Sequence, residues 1–75
     1  MMGIRLGRYA VVVDMPQAES DARWYVFEME HSHFGMILAT GSVPSDGNAG
    51  LSASHVMISA LELGASVARD MVDRR

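Results

Sequence analysis

The stretch Leu51–Val72, LSASHVMISALELGASVARDMV, decides the fold. Stepped at about 100° per residue, its apolar side chains fall on one broad arc. Ala53, Val56, Met57, Ala60, Leu61, Gly64, Val67, Ala68 and Met71 make the centre of that arc, and Ser52, His55, Ser59, Glu62, Ser66, Arg69, Asp70 and Asp73 make the opposite side. The separation predicts an amphipathic helix of about six turns over residues 51–73. Asn48 or Ser52 can cap its N-terminus, and Arg69, Arg74 and Arg75 lie towards its C-terminus, where cations oppose the negative end of the dipole. Gly64 costs about 1 kcal/mol of helix propensity relative to alanine. Its place on the apolar arc therefore implies a close approach of the helix backbone over an aromatic ring.

Working back from the helix, three strands are expected, over about 4–15, 23–30 and 36–43. The first, Ile4 to Met15, is β-branched and aromatic at its centre and is stopped by Pro16, which cannot donate to a sheet ladder. Residues 17–22 form a short polar loop. The second strand, Arg23 to Glu30, centres on Trp24, Tyr25, Val26 and Phe27. His31, Ser32 and His33 make a turn, and Gly35 lets the backbone reverse. The third strand, Met36 to Val43, is weakened by Gly41. Residues 44–50 are a Gly, Ser, Asp and Asn loop. The order β-β-β-α gives an α+β fold in one domain over 1–75: a three-stranded antiparallel β-meander with one long C-terminal amphipathic α-helix packed on one face.

Alternation assigns the faces. Tyr9, Val11, Val13 and Met15 share one face of the first strand, and Tyr25, Phe27 and Met29 share one face of the second. These are the bulkier sets and are expected under the helix. The other face then carries Ala10 and Val12, Trp24 and Val26, and from the third strand either Met36 and Leu38 or Ile37 and Ala39. One helix cannot cover both faces. The outer face is an apolar patch of the few-hundred-Å² class that often marks an interface, with Val12, Trp24 and Val26 as interface residues and Trp24 as anchor. A loop or the chain start folded over this face, or another strand register, is the alternative. Ile58, Ala65 and Val72 widen the helix arc beyond what one sheet face needs. Of the seven methionines, Met15, Met29, Met57 and Met71 read as core and Met36 as either core or surface.

Composition narrows the function. A 75-residue chain with an apolar fraction of 49% is one small domain of marginal stability. It has no cysteine, which removes disulfides and thiolate zinc, fits a reducing compartment and leaves oligomerisation as the supplement to a small core. The net charge of −3, with nine acidic and six basic residues, argues against nucleic-acid binding, which draws its affinity from basic groups on phosphates. All the basic residues are arginine, which suggests GC-rich coding and a bacterial source. Residues 9–13 are too short an apolar run for a signal peptide, and no segment nears the roughly 20 apolar residues of a membrane span. A cytoplasmic, unprocessed protein is expected, without membrane or nucleic-acid partner.

The chemical candidates are few. His31 and His33, at i and i+2, project to one side of an extended backbone, but a zinc site needs three or four supported ligands. The segment from Gly41 to Gly50 precedes a helix N-terminus, where anions bind, yet no Gly-Lys-Ser/Thr follows and Asp46 repels an anion. His55, Ser59 and Glu62 share the polar side of the helix, without the buried acid and oxyanion hole that a triad needs. No catalytic residue and no cofactor is therefore assigned. Two functions stand: a non-enzymatic interaction module that self-associates or binds a protein partner through the outer sheet face, and a small-ligand or metal-binding accessory domain.

In its opening run Arg8-Tyr9-Ala10-Val11-Val12-Val13-Asp14, its aromatic second strand, its small-residue third strand and its alanine-rich helix, the chain resembles the small β-β-β-α domains of HicB-type antitoxins. The Pro-Gly turn and the Thr/Glu-Ala helix start of that family are absent. The resemblance implies a fold only, and no functional residue is carried over.

Overall fold

The segment expected as one strand from Ile4 to Met15 is two strands folded back on each other. In the computed structural model, which describes residues 2–15, 21–30, 33–44 and 53–73, with 30, 33, 34 and 53 by backbone alone, the order is β1 (Met2–Leu6), β2 (Tyr9–Asp14), β3 (Ala22–Glu30), β4 (His33–Val43) and α1 (Ala53–Asp73). The strands form one antiparallel sheet in the order β1-β2-β3-β4. The extra turn is Gly7-Arg8, closed by the pair Leu6↔Tyr9. Gly7 has φ 63°, the left-handed value that the first central residue of a primed hairpin turn needs to match strand twist. The sequence carries the mark of this turn: Met2, Ile4 and Leu6 run in even phase, and Tyr9, Val11 and Val13 in odd phase.

A Cβ added at Gly7 would meet nothing within 4 Å, so a substitution there is penalised by backbone conformation alone. Gly7→Val should destabilise the fold by about 1–2 kcal/mol, lowering the thermal midpoint by about 5–10 °C. Circular dichroism melts check this, and an unchanged midpoint would contradict the turn.

The third expected strand begins earlier. β4 starts at His33, so Gly35 lies inside the strand rather than at a reversal. The pairing of β3 with β4 shifts twice, between Val26 and Phe27 and between Phe27 and Met29. Each time β4 has the extra residue, as in a β-bulge. Ala39 therefore pairs with Val26, and Ile37 with Phe27. These two β4 residues, expected on one face, are set on opposite faces.

Register and burial fix which side faces α1. The rows Ile4–Val11–Val26–Ala39 and Met2–Val13–Trp24–Gly41 run across the sheet on one side. They belong to the two core clusters, together with Val56, Ala60, Leu61, Val67, Ala68 and Met71 of the helix. Val11, Val13 and Val26 are fully buried, each worth about 1.5–3 kcal/mol of apolar transfer. The expectation for β2 holds. That for β3 is reversed: Trp24 and Val26 lie under the helix, and Tyr25, Phe27 and Met29 share the phase that points away.

Two glycines give the physical reason. A Cβ on Gly41 would sit 2.6 Å from Trp24 Cε2 and 2.8 Å from Nε1, and one on Gly64 would sit 2.5 Å from Val11 Cγ1 and 3.5 Å from Trp24 Cε3. The indole lies over bare backbone in β4, a ring covering an edge-strand glycine. The helix descends onto Val11 and the ring edge. Gly64 does bring the helix close, as expected, but the atom that sets the limit is Val11 as well as the ring.

The buried arc of α1 is as expected. Val56, Ala60, Gly64 and Ala68 are buried, Met57, Leu61, Val67 and Met71 half-buried, and His55, Ser59, Glu62, Ser66, Arg69, Asp70 and Asp73 exposed. Ala65 is buried, whereas Ile58 and Val72 are each 45% exposed. No base lies in the last described turn. Arg69 stands above it, and residues 74–75, like the cap candidates Asn48 and Ser52, lie outside the described residues. Among the described residues no helix is long and apolar enough to cross a membrane.

Candidate functional site: the uncovered sheet face

The side of the sheet turned away from α1 is laid out by the register in three rows. The first is Arg5–Ala10–Phe27–Ile37, the second Gly3–Val12–Tyr25–Thr40, and the third Asp14–Arg23–Ser42. The first two are apolar at the centre. The Tyr25 and Phe27 rings stand side by side, centroids 6.2 Å apart and tilted by 35°, within the favourable range for aromatic pairs. Ile37 extends the patch to the edge strand and is 51% exposed, next to Met36 at 72%. No described element lies across these rows, because the one helix is committed to the other side. At sheet spacings the whole face, its charged row included, is on the order of 400 Å² in plan, and contiguous apolar patches on monomers often mark interfaces.

The rim is charged, with Arg5, Arg23 and Asp14 on this face and Asp14 opposite Arg23 in the register. This surface is therefore net positive in a chain whose net charge is −3. The Arg5 Nε donates to the Gly7 carbonyl at 3.1 Å, which draws the guanidinium along its strand and off the apolar rows. The Thr40 hydroxyl donates to the Trp24 carbonyl at 3.0 Å, tying β4 to β3 beside Tyr25.

Of the expected interface residues, Val12 is on this face and half-buried. Trp24 and Val26 are not: they are core. Tyr25, Phe27 and Ile37 take their place. The other candidates are not brought together among the described residues. His31 lies outside the described residues, as does the His33 side chain. The described residues hold no group of three or more His, Asp or Glu able to bind a metal. Ser42 sits in the third row of the sheet, and residues 45–50 of the anion-loop candidate lie outside the described residues. His55, Ser59 and Glu62 are exposed on α1, and among the described residues no charged side chain is buried. Comparison with protein-family models, with curated proteins and with solved structures finds no match.

Proposed function

We propose that this chain is a non-enzymatic, cytoplasmic protein-interaction module that binds through the outer sheet face. The observation behind this reading is the continuous apolar centre made by Val12, Tyr25, Phe27 and Ile37 on the side without a helix. Tyrosine is enriched at interface hot spots, and an apolar centre with a polar rim is ordinary interface anatomy. The arginines of the rim favour a partner whose own apolar patch is bordered by acidic groups.

A photo-crosslinking residue at Tyr25 should give covalent adducts with a partner, whereas one at Ser59 on α1 should not. Phe27→Glu should abolish the Tyr25 adduct while the chain keeps its folded circular dichroism spectrum, since Phe27 lies outside the two core clusters. Adducts of equal yield from both positions, or an adduct insensitive to Phe27→Glu, would refute the assignment.

A further inference from the structure

The second exposed feature is the edge of β1, along which no other described strand pairs. The Met29 N–H donates to the Arg8 carbonyl at 2.7 Å, and this bond sets the hydrogen-bond phase of the sheet. In an antiparallel ladder the groups of successive residues point alternately to the two neighbours. Arg8, Ala10, Val12 and Asp14 therefore bond to β3, and Tyr9, Val11 and Val13 bond to β1. It follows that Met2, Ile4 and Leu6 bond to β2, while the N–H and C=O groups of Gly3 and Arg5 face outward from the edge. An outward row of this kind is a template for another strand. Natural edges are blunted by short strands, charged side chains, proline or bulges. β4 has its two register shifts; β1, five residues long, has no proline or bulge, and its one charge, Arg5, is turned along its own strand to the Gly7 carbonyl.

The geometry points to a second copy of this chain as the occupant of that edge, its β1 pairing antiparallel about a two-fold axis at Ile4. The strand is self-complementary in that register. Ile4 meets Ile4 and Met2 meets Leu6, all on the helix side. Gly3 meets Arg5, so the two arginines are never opposite each other. The Arg5 to Gly7 hydrogen bond draws each guanidinium further from the axis, so the two diagonal charges are kept apart. Gly3 and Arg5 of the two chains would form about four main-chain hydrogen bonds.

An open cleft of about 310 Å³ lies at the end of this edge, lined by Leu6, Gly7, Arg69, Val72 and Asp73. The pairing brings the Met2 side chain of the second copy opposite Leu6, at that cleft. It also turns the helix flank with exposed Ile58 and Val72 towards the dimer axis. Such pairing uses the edge and the helix side, and stands apart from the reading of the outer face. It would nevertheless join two outer faces into one continuous face of twice the width.

Amide hydrogen exchange on the unaltered chain, at high concentration and after dilution, tests it directly. The Gly3 and Arg5 amides should be protected at high concentration and exchange at least tenfold faster on dilution. A mixed sample of labelled and unlabelled chains should show an interchain contact between the Hα atoms of Ile4. Arg5→Pro, which removes an outward N–H and no intrachain ladder bond, should halve the mass found by light scattering with an unchanged circular dichroism spectrum. If that variant unfolds, the exchange result decides alone. A mass of one chain at millimolar concentration, or a dimer whose Gly3 and Arg5 amides exchange as in a free edge, would overturn the proposal.

Discussion

Replacing Trp24 by alanine should remove a large part of the chain's folding stability at 25 °C. The indole belongs to both halves of the core: it packs against the cluster of Tyr9, Val11, Val26 and Ala68 and against that of Val13, Ala22, Val56 and Ala60. Gly41 lies under it and Gly64 approaches its edge, so neither neighbour has a side chain that could move in to fill the space. Truncation of a tryptophan at such a site costs about 3–5 kcal/mol. A domain of this length has roughly 4–11 kcal/mol in total at 0.05–0.15 kcal/mol per residue. Urea denaturation followed by circular dichroism measures the loss. Trp24→Phe, which keeps most of the apolar volume, should retain much of the stability. A loss below about 1 kcal/mol for Trp24→Ala would place the indole outside the core.

The second large effect is expected at Gly64. In an exposed helix, glycine to alanine gains about 1 kcal/mol. Here the new methyl would overlap Val11 Cγ1 at 2.5 Å. Val11 is fully buried, and its branched side chain has few rotamers, so the helix itself must shift. Overpacking of this kind costs about 1–3 kcal/mol, and the net result is destabilisation. Because the conflict is with one named atom, it should be relieved by removing that atom. Val11→Ala destabilises by itself, yet Gly64→Ala combined with Val11→Ala should be better than the sum of the two by about 1–2 kcal/mol, within the range of contacting pairs. Additive losses in the double variant would show that the helix does not rest on Val11.

How much of this was legible beforehand follows from particular residues. The helix was, because its small and large apolar positions repeat over the whole stretch and few other patterns produce that arc. The first turn was readable too, in the change of phase across Gly7-Arg8, but an unbroken run of strand-forming residues hides it if composition alone is weighed. The faces of β3 were not decided by alternation. Each phase carries apolar residues and charge, Arg23 beside Tyr25, Phe27 and Met29, Glu28 and Glu30 beside Trp24 and Val26. What decides is the complement of size between layers: two glycines, in β4 and α1, leave room for one large ring, and Trp24 fills it. The uncovered face was inferred from counting one helix against two sheet faces. Among the described residues no element crosses that face, which carries Val12 and, in place of Trp24 and Val26, Tyr25 and Phe27. The bulges of β4 had no signal in the sequence, since they arise from pairing with β3 and not from local propensity.

The central claim is that Trp24 packs on the helix side of the sheet while Tyr25 and Phe27, like it half-buried, lie on the opposite side. A soluble gadolinium relaxation agent, titrated into dilute protein while the aromatic side-chain resonances are followed, reads both at once. Strong enhancement at the Tyr25 and Phe27 rings with little at the Trp24 indole is the expected result. Strong enhancement at the indole with protected Tyr25 and Phe27 rings would contradict it.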